Sequence, residues 1–162
     1  MRIETQNLCK AYVSSARTVQ AVFQAGLNIG PGETVGLLGD SGCGKSTLGL
    51  MLVGLLRPDE GTVRIDGTPV RMPYQGELRK RTQILFQHPE VSFNPRRTLL
   101  YSLREPYRIH RMPFHRRALC AQMESFGLYE HHLGRYPHEL SGGELQRAAL
   151  VRILSLQPSF IV

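Results

Sequence analysis

No apolar run in this 162-residue chain approaches the ~18 residues that a membrane-spanning helix requires. The longest, Leu48 to Leu56, has the length of a buried helix. A leader with a basic start and an apolar middle is also missing. Met1-Arg2-Ile3-Glu4 enters directly into a strand pattern, so no signal peptide is expected. Cysteine is sparse: Cys9, Cys43 and Cys120 are odd in number and widely spaced. That excludes a disulfide framework and suggests a reducing compartment. Acidic residues are few, 13 against 20 Lys and Arg, which leaves a net charge of +7. The basic residues are scattered as Arg79-Lys80-Arg81, Arg96-Arg97, Arg111 and Arg116-Arg117. They are not interleaved with aromatics, which argues against a stacking platform for nucleic acid. A solvated surface or a docking face for a protein partner is the expectation. The apolar fraction, 41 %, is enough for a real core, and the length fits one domain or most of one.

What is present is dominated by one stretch. Gly39-Asp40-Ser41-Gly42-Cys43-Gly44-Lys45-Ser46 fits G-x-x-x-x-G-K-[ST] at every fixed position. Before it runs Glu33 to Leu38, a strand candidate; after it runs Thr47 to Leu56, a helix candidate. Strand, glycine loop and helix form a phosphate-binding arrangement. Glycines at 39, 42 and 44 permit backbone angles closed to other residues, so the loop can turn N–H groups inward as an anion nest. The helix that follows points its positive end at the same place. Lys45 is expected to reach the β- and γ-phosphates of a nucleotide, and the Ser46 hydroxyl to ligate Mg²⁺, a hard ion that prefers oxygen. Thr47 is a further hydroxyl for phosphate. A dinucleotide fingerprint is disfavoured, because Thr47 stands where G-x-G-x-x-G needs glycine. Cys43 lies inside the loop, where it also fits as a small filler at a variable position; its alkylation is expected to block nucleotide binding.

Elsewhere, residues 2–8 and about 18–29 read as strands, as do 61–67 and 81–86. From 97 to 127 the pattern is helical, broken by Pro106 and Pro113. Leu145 to Leu156 is helical again and stopped by Pro158, and Ser159-Phe160-Ile161-Val162 begins a buried strand. The expected fold is α/β: a phosphate-loop NTPase core with an N-terminal antiparallel β edge and a small helical insert. Residues about 1–90 form the nucleotide-binding core, about 91–140 the helical part, and 141–162 a further helix and strand start.

That further helix opens with Leu140-Ser141-Gly142-Gly143-Glu144-Leu145-Gln146-Arg147. Ser141 is a natural N-cap, and Gly142 and Gly143 let an anion approach the backbone. A second anion site is possible here; so is ordinary capping.

Together, the phosphate loop and LSGGELQR, in this order, resemble the ATP-binding cassette (ABC) transporter ATPase domain. The resemblance runs from residue 2 to 162. It implies ATP and Mg²⁺ as cofactors. It gives Tyr12 the role of stacking on adenine; without it, Tyr12 would read as a packed strand aromatic. Gln87 matches the family's Q-loop glutamine, which senses Mg²⁺ and the attacking water and couples to the membrane subunit. It implies head-to-tail pairing with a second ATPase domain, so that the phosphate loop of one and Ser141, Gly142 and Gly143 of the other enclose each ATP. Permease subunits are the other implied partners, with no nucleic acid, at the cytoplasmic face of the inner membrane. The segment Gln87 to Leu99, with Asn94-Pro95-Arg96, and Tyr136-Pro137-His138-Glu139 are similar to importers of peptides and nickel. His88 departs from that group, which usually carries an acid there. Adjacent His131 and His132 are expected at the surface rather than on a metal.

The family's Asp and catalytic Glu follow the strand that Phe160-Ile161-Val162 begins, and the sequence stops before them. The fold is therefore expected to be incomplete at its C-terminal side, marginally stable, and negligibly hydrolytic by itself. The leading expectation is the ATP-binding subunit of a peptide or nickel importer. The alternatives are a non-catalytic nucleotide-binding remnant and a nucleic-acid-associated ATPase of the same type.

Overall fold

The computed structural model describes residues 1–15 and 17–162. They divide into two compact units: residues 1–84 with 159–162, and residues 85–158.

The first unit is built on an antiparallel sheet. Strand β1 (Ile3–Val13) pairs with β2 (Thr18–Ile29), from Ile3 opposite Ile29 to Val13 opposite Thr18. The alternation that suggested a strand over residues 2–8 fades because the register shifts after Thr5 and again near Lys10. Each shift moves side chains to the other face without ending the ladder, so β1 is longer than its pattern. Helix α1 (Lys45–Leu52) follows the glycine loop. It ends at Leu52, earlier than the apolar run does, and the chain then turns through Gly54, which has φ 68°. A Cβ on Gly54 would lie 2.1 Å from Cγ of Tyr74, so only glycine lets that ring close over the end of the helix. Strand β3 (Glu60–Ile65) pairs with β1 on the side away from β2, and β4 (Thr68–Pro69) extends the sheet, giving the order β2-β1-β3-β4. Helix α2 (Gly76–Arg81) leads into β5 (Thr82–Gln83), which pairs in parallel with β6 (Phe160–Ile161). Ile3, Leu8, Val22, Met51, Leu52, Val63, Ile65 and Tyr74 form the core between sheet and α1.

Three expected strands need correction. Residues 33–38 are not a strand: among the described residues nothing pairs with them, and Leu38 is 96 % exposed. An apolar segment becomes a strand only beside a partner backbone, which its own sequence cannot supply. The stretch 81–86 contributes only Thr82–Gln83, since Arg81 completes α2. The strand at 159–162 exists but is not buried, because Ile161 and Val162 remain partly exposed beside β5.

The second unit is helical: α3 (Leu99–Ile109), α4 (Arg116–Ser125) and α5 (Gly142–Leu154), with short 3-10 turns at Pro89–Ser92, Glu130–Gly134 and Pro137–Glu139. Its core joins Leu99, Leu103, Leu119, Met123, Leu133 and Val151, among others. Pro113 separates α3 from α4 as expected, but Pro106 does not break α3. It removes one N–H, yet it lies on the buried face with Leu99, Ser102 and Leu103, and burial of that face outweighs the lost bond.

Candidate nucleotide and signature sites

The loop is exposed from Gly39 to Cys43, and Gly44 at the start of α1 is half-buried. Gly39, Gly42 and Gly44 have φ of 151°, 81° and 94°. Gly44 is the N-cap of α1 and lies against β2: a Cβ there would come within 1.9 Å of the Ala21 carbonyl oxygen. The last turn of the loop can therefore be seated on the sheet only with glycine at this position. No side chain caps α1, and its first N–H groups have no intrahelical partners. Cys43 N–H donates to the Asp40 carbonyl at 3.3 Å, which closes the loop on itself.

Lys45 folds back over the same loop. Its Nζ donates to the carbonyls of Gly39 at 2.7 Å and Asp40 at 2.6 Å, and lies 3.6 Å from Cys43 Sγ. The cation is thus held by neutral dipoles at the loop mouth. A phosphate offers full negative charge in their place, and charge-assisted bonds are the stronger. Ser46 is exposed on the first turn of α1. Thr47 Oγ1 lies 3.5 Å from Tyr12 Oη. Tyr12, 46 % exposed, is therefore a surface aromatic beside the loop rather than a core residue. Its stretch of β1 is fixed by Asp59, whose carboxylate accepts from Ala11 N–H at 2.8 Å and Lys10 Nζ at 2.6 Å. Those two contacts, the Ala11 N–H first, hold the Asp59 carboxyl below its usual range. The structure therefore brings together Tyr12, the loop residues Gly39 to Gly44, Lys45, Ser46 and Thr47.

In the second unit, Ser141 caps α5 as its sequence suggested. Ser141 Oγ accepts from Glu144 N–H at 3.3 Å and donates to Glu144 Oε2 at 2.7 Å; Ser141 N–H donates to the same oxygen at 2.7 Å. This is a capping box, legible as S-x-x-E. These bonds, Ser141 N–H first and its hydroxyl next, with His132 behind them, bring the Glu144 carboxyl down to about 2. Gly142 and Gly143 are exposed at the helix start, with open space around Gly142. Behind Glu144 sits His132, which is buried at 5 % exposure with Nε2 3.1 Å from Glu144 Oε1. The expectation of surface histidines holds for His131 and fails for His132, which the fold draws inward to meet this carboxylate. Among the described residues no group of three or more His, Cys, Asp or Glu could hold a metal ion.

Gln87 occupies an exposed bend ahead of the turn Pro89–Ser92. Sequence reasoning missed what fastens that turn to α5. Arg152 Nη1 donates to the Ser92 carbonyl at 2.6 Å and Nη2 to Glu105 Oε2 at 2.6 Å, with the guanidinium 5.8 Å from the Phe93 ring centre. Its partners are 60 and 47 residues away in sequence, so no local pattern announces them.

The ABC transporter family model matches residues 22–162. YkfD of Bacillus subtilis, described as a putative oligopeptide transport ATP-binding protein, is 43 % identical over 153 residues, covering 90 % of this chain and 46 % of its own. OppF of the same organism, an oligopeptide transport ATP-binding protein, is 35 % identical over 168 residues, covering 99 % and 55 %. The dimeric cassette MJ0796, solved with ADP and Pi after hydrolysis, superposes with a TM-score of 0.84 at 28 % identity, over 98 % of this chain and 72 % of that one. The chain spans about half the length of the curated relatives it matches. The mixed α/β architecture with its N-terminal antiparallel sheet is that of the cassette. The family match over residues 22–162 includes both the glycine loop and the Ser141 helix, and the chain belongs to the ABC transporter family as an ATP-binding domain.

Proposed function

We propose that this chain is the nucleotide-binding part of an ABC importer ATPase whose cargo is a peptide. One observation carries the nucleotide half of that reading. The Lys45 ammonium, an uncapped helix start and the exposed Tyr12 ring converge on one positive-φ glycine loop. The loop and helix start receive the phosphates, Lys45 exchanges its carbonyl partners for β- and γ-oxygens, and Tyr12 takes the adenine face. Ser46 offers a hydroxyl oxygen of the kind Mg²⁺ prefers, and the ion would supply neutralising charge at the phosphates. Gln87 is assigned the role of sensing that ion and the attacking water.

Ser141, Gly142 and Gly143 serve the nucleotide held by a second ATPase domain, because an exposed helix start is an anion site of its own. Closure of that pair on ATP, transmitted to permease subunits, is the proposed work of the whole protein. The support for peptide cargo is the oligopeptide named in the descriptions of YkfD and OppF. Neither description mentions nickel, so peptide is the half of the expectation retained.

Titration calorimetry of the chain with Mg²⁺-ATP tests the binding reading. Saturable one-site binding that Lys45→Ala weakens supports it. Absence of binding, or binding indifferent to Lys45→Ala, overturns it.

A further inference from the structure

The N-terminus of α5 has a feature that the nucleotide reading does not use. The Glu144 carboxylate is divided between two partners. Oε2 takes both hydrogens of Ser141, one from N–H and one from the hydroxyl, each at 2.7 Å. Oε1 faces the buried His132 Nε2 at 3.1 Å. The imidazole is fixed in turn, since Tyr129 N–H donates to Nδ1 at 2.9 Å. Nδ1 also lies 3.1 Å from the Tyr129 carbonyl oxygen. An ionised carboxylate can only accept, so the Nε2 that faces Glu144 carries a hydrogen and donates it. The chain of bonds runs Tyr129 N–H to His132 to Glu144 to Ser141. Its two ends, Tyr129 and Ser141, are exposed, and His132 between them is buried.

We infer that His132 is a positioning residue for the signature serine: by holding Glu144 Oε1 it sets where Oε2 lies, and thereby the direction of the Ser141 hydroxyl and N–H. This rests on the reading of Ser141 to Gly143 as a phosphate site. A phosphate oxygen arriving there must replace Glu144 Oε2 at the serine hydrogens, and it meets a like charge as it does so. His132 gives the carboxylate a second, buried anchor, so Glu144 can release Ser141 while keeping a hydrogen-bond partner. Without that anchor both oxygens are left to the helix start, and Glu144 occupies the site the phosphate needs. The role is indirect: His132 is buried and acts on Ser141 only through the carboxylate.

The test compares the chain with His132→Leu and His132→Gln, since glutamine can restore an N–H donor to the carboxylate. Amide exchange at Ser141 and Glu144, read by NMR, is expected to change at least tenfold in His132→Leu and to return within twofold of the starting value in His132→Gln. Imidazole nitrogen shifts of the unmodified chain are expected to show the Nε2–H tautomer. That measurement decides the matter if His132→Leu fails to fold, and the opposite tautomer overturns the inference. Unchanged exchange in His132→Leu, or failure of glutamine to rescue, also overturns it. Mg²⁺-ATP titration of the unmodified chain is run beside these. Absence of ATP binding there refutes the nucleotide reading of the Lys45 loop, while the exchange and tautomer results still decide the role of His132.

Discussion

Helices α1 and α5 both begin at glycines, and they begin in opposite states. Helix α1 starts behind Gly44 with no side-chain cap, and the nearest charge is the cation of Lys45, resting on loop carbonyls. Helix α5 starts behind Ser141 with a full capping box, and the nearest charge is the anion of Glu144. The first is open toward an anion and becomes better satisfied when one arrives. The second is already satisfied from within and must give up a bond to accept one. Glycine-rich helix starts are therefore not interchangeable phosphate sites. The residue that closes or leaves open the first turn decides which one binds unaided.

The sharpest way to break this contrast is the same substitution in both places. Gly44→Ala places a methyl against the Ala21 carbonyl at a φ of 94°, so a loss of ~3 kcal/mol or more in unfolding free energy is expected. Gly142→Ala enters open space in the first turn of a helix, where about 0.5 kcal/mol of stabilisation is expected from helix propensity. Denaturant titrations of the two variants measure both, and equal effects would erase the distinction.

Lys45→Ala comes next. Its bonds are to exposed carbonyls, so stability should hardly move, whereas loss of about 2 kcal/mol of charge-assisted contact weakens Mg²⁺-ATP binding roughly 30-fold in calorimetry. Ser141→Ala is the counterpart at the closed site. It is expected to cost about 1 kcal/mol of stability and to leave ATP binding by the chain unchanged.

Acid provides a further separation. The Glu144 carboxyl lies at about 2 in the fold against an ordinary 4.5, so the unfolded state binds its proton first as pH falls. Its stabilising contribution is complete above about 4.5 and lost progressively as pH drops through about 2. Exchange at Leu145 and neighbouring α5 amides should accelerate across that window, and Glu144→Gln should remove the dependence.

The smallest effect is expected at Tyr12. Tyr12→Phe should alter ATP affinity less than about twofold, because the 3.5 Å contact to Thr47 is at the limit of a hydrogen bond, while Tyr12→Ala should weaken it about tenfold through lost stacking.

Residues whose chemistry is local were legible in the sequence. The loop glycines have the positive φ their spacing suggested, and Ser141 caps the helix it precedes. Both depend on neighbours within a few positions. The strand expected at 33–38 was not legible, because strand formation is decided by a partner backbone elsewhere. Pro106 misled in the other direction, since the burial that keeps α3 intact comes from other elements of its core. Tyr12 was placed beside the loop by resemblance alone; its apolar ring in a strand fitted a core position equally well. His132 carried no signal of burial, because its partner lies twelve residues on, outside any helical or strand period.

The Arg152 fork has a mechanical consequence. One guanidinium arm grips the turn after Gln87 and the other grips α3, while its stem belongs to the helix that Ser141 begins. Two bonds of 2.6 Å have no slack, so the turn cannot shift by an ångström without either carrying α5 along or breaking a bond. Such a strut works identically from both ends. Whatever displaces α5 also loads the turn, and any ligand-driven coupling that runs through Arg152 must be felt as strongly in reverse.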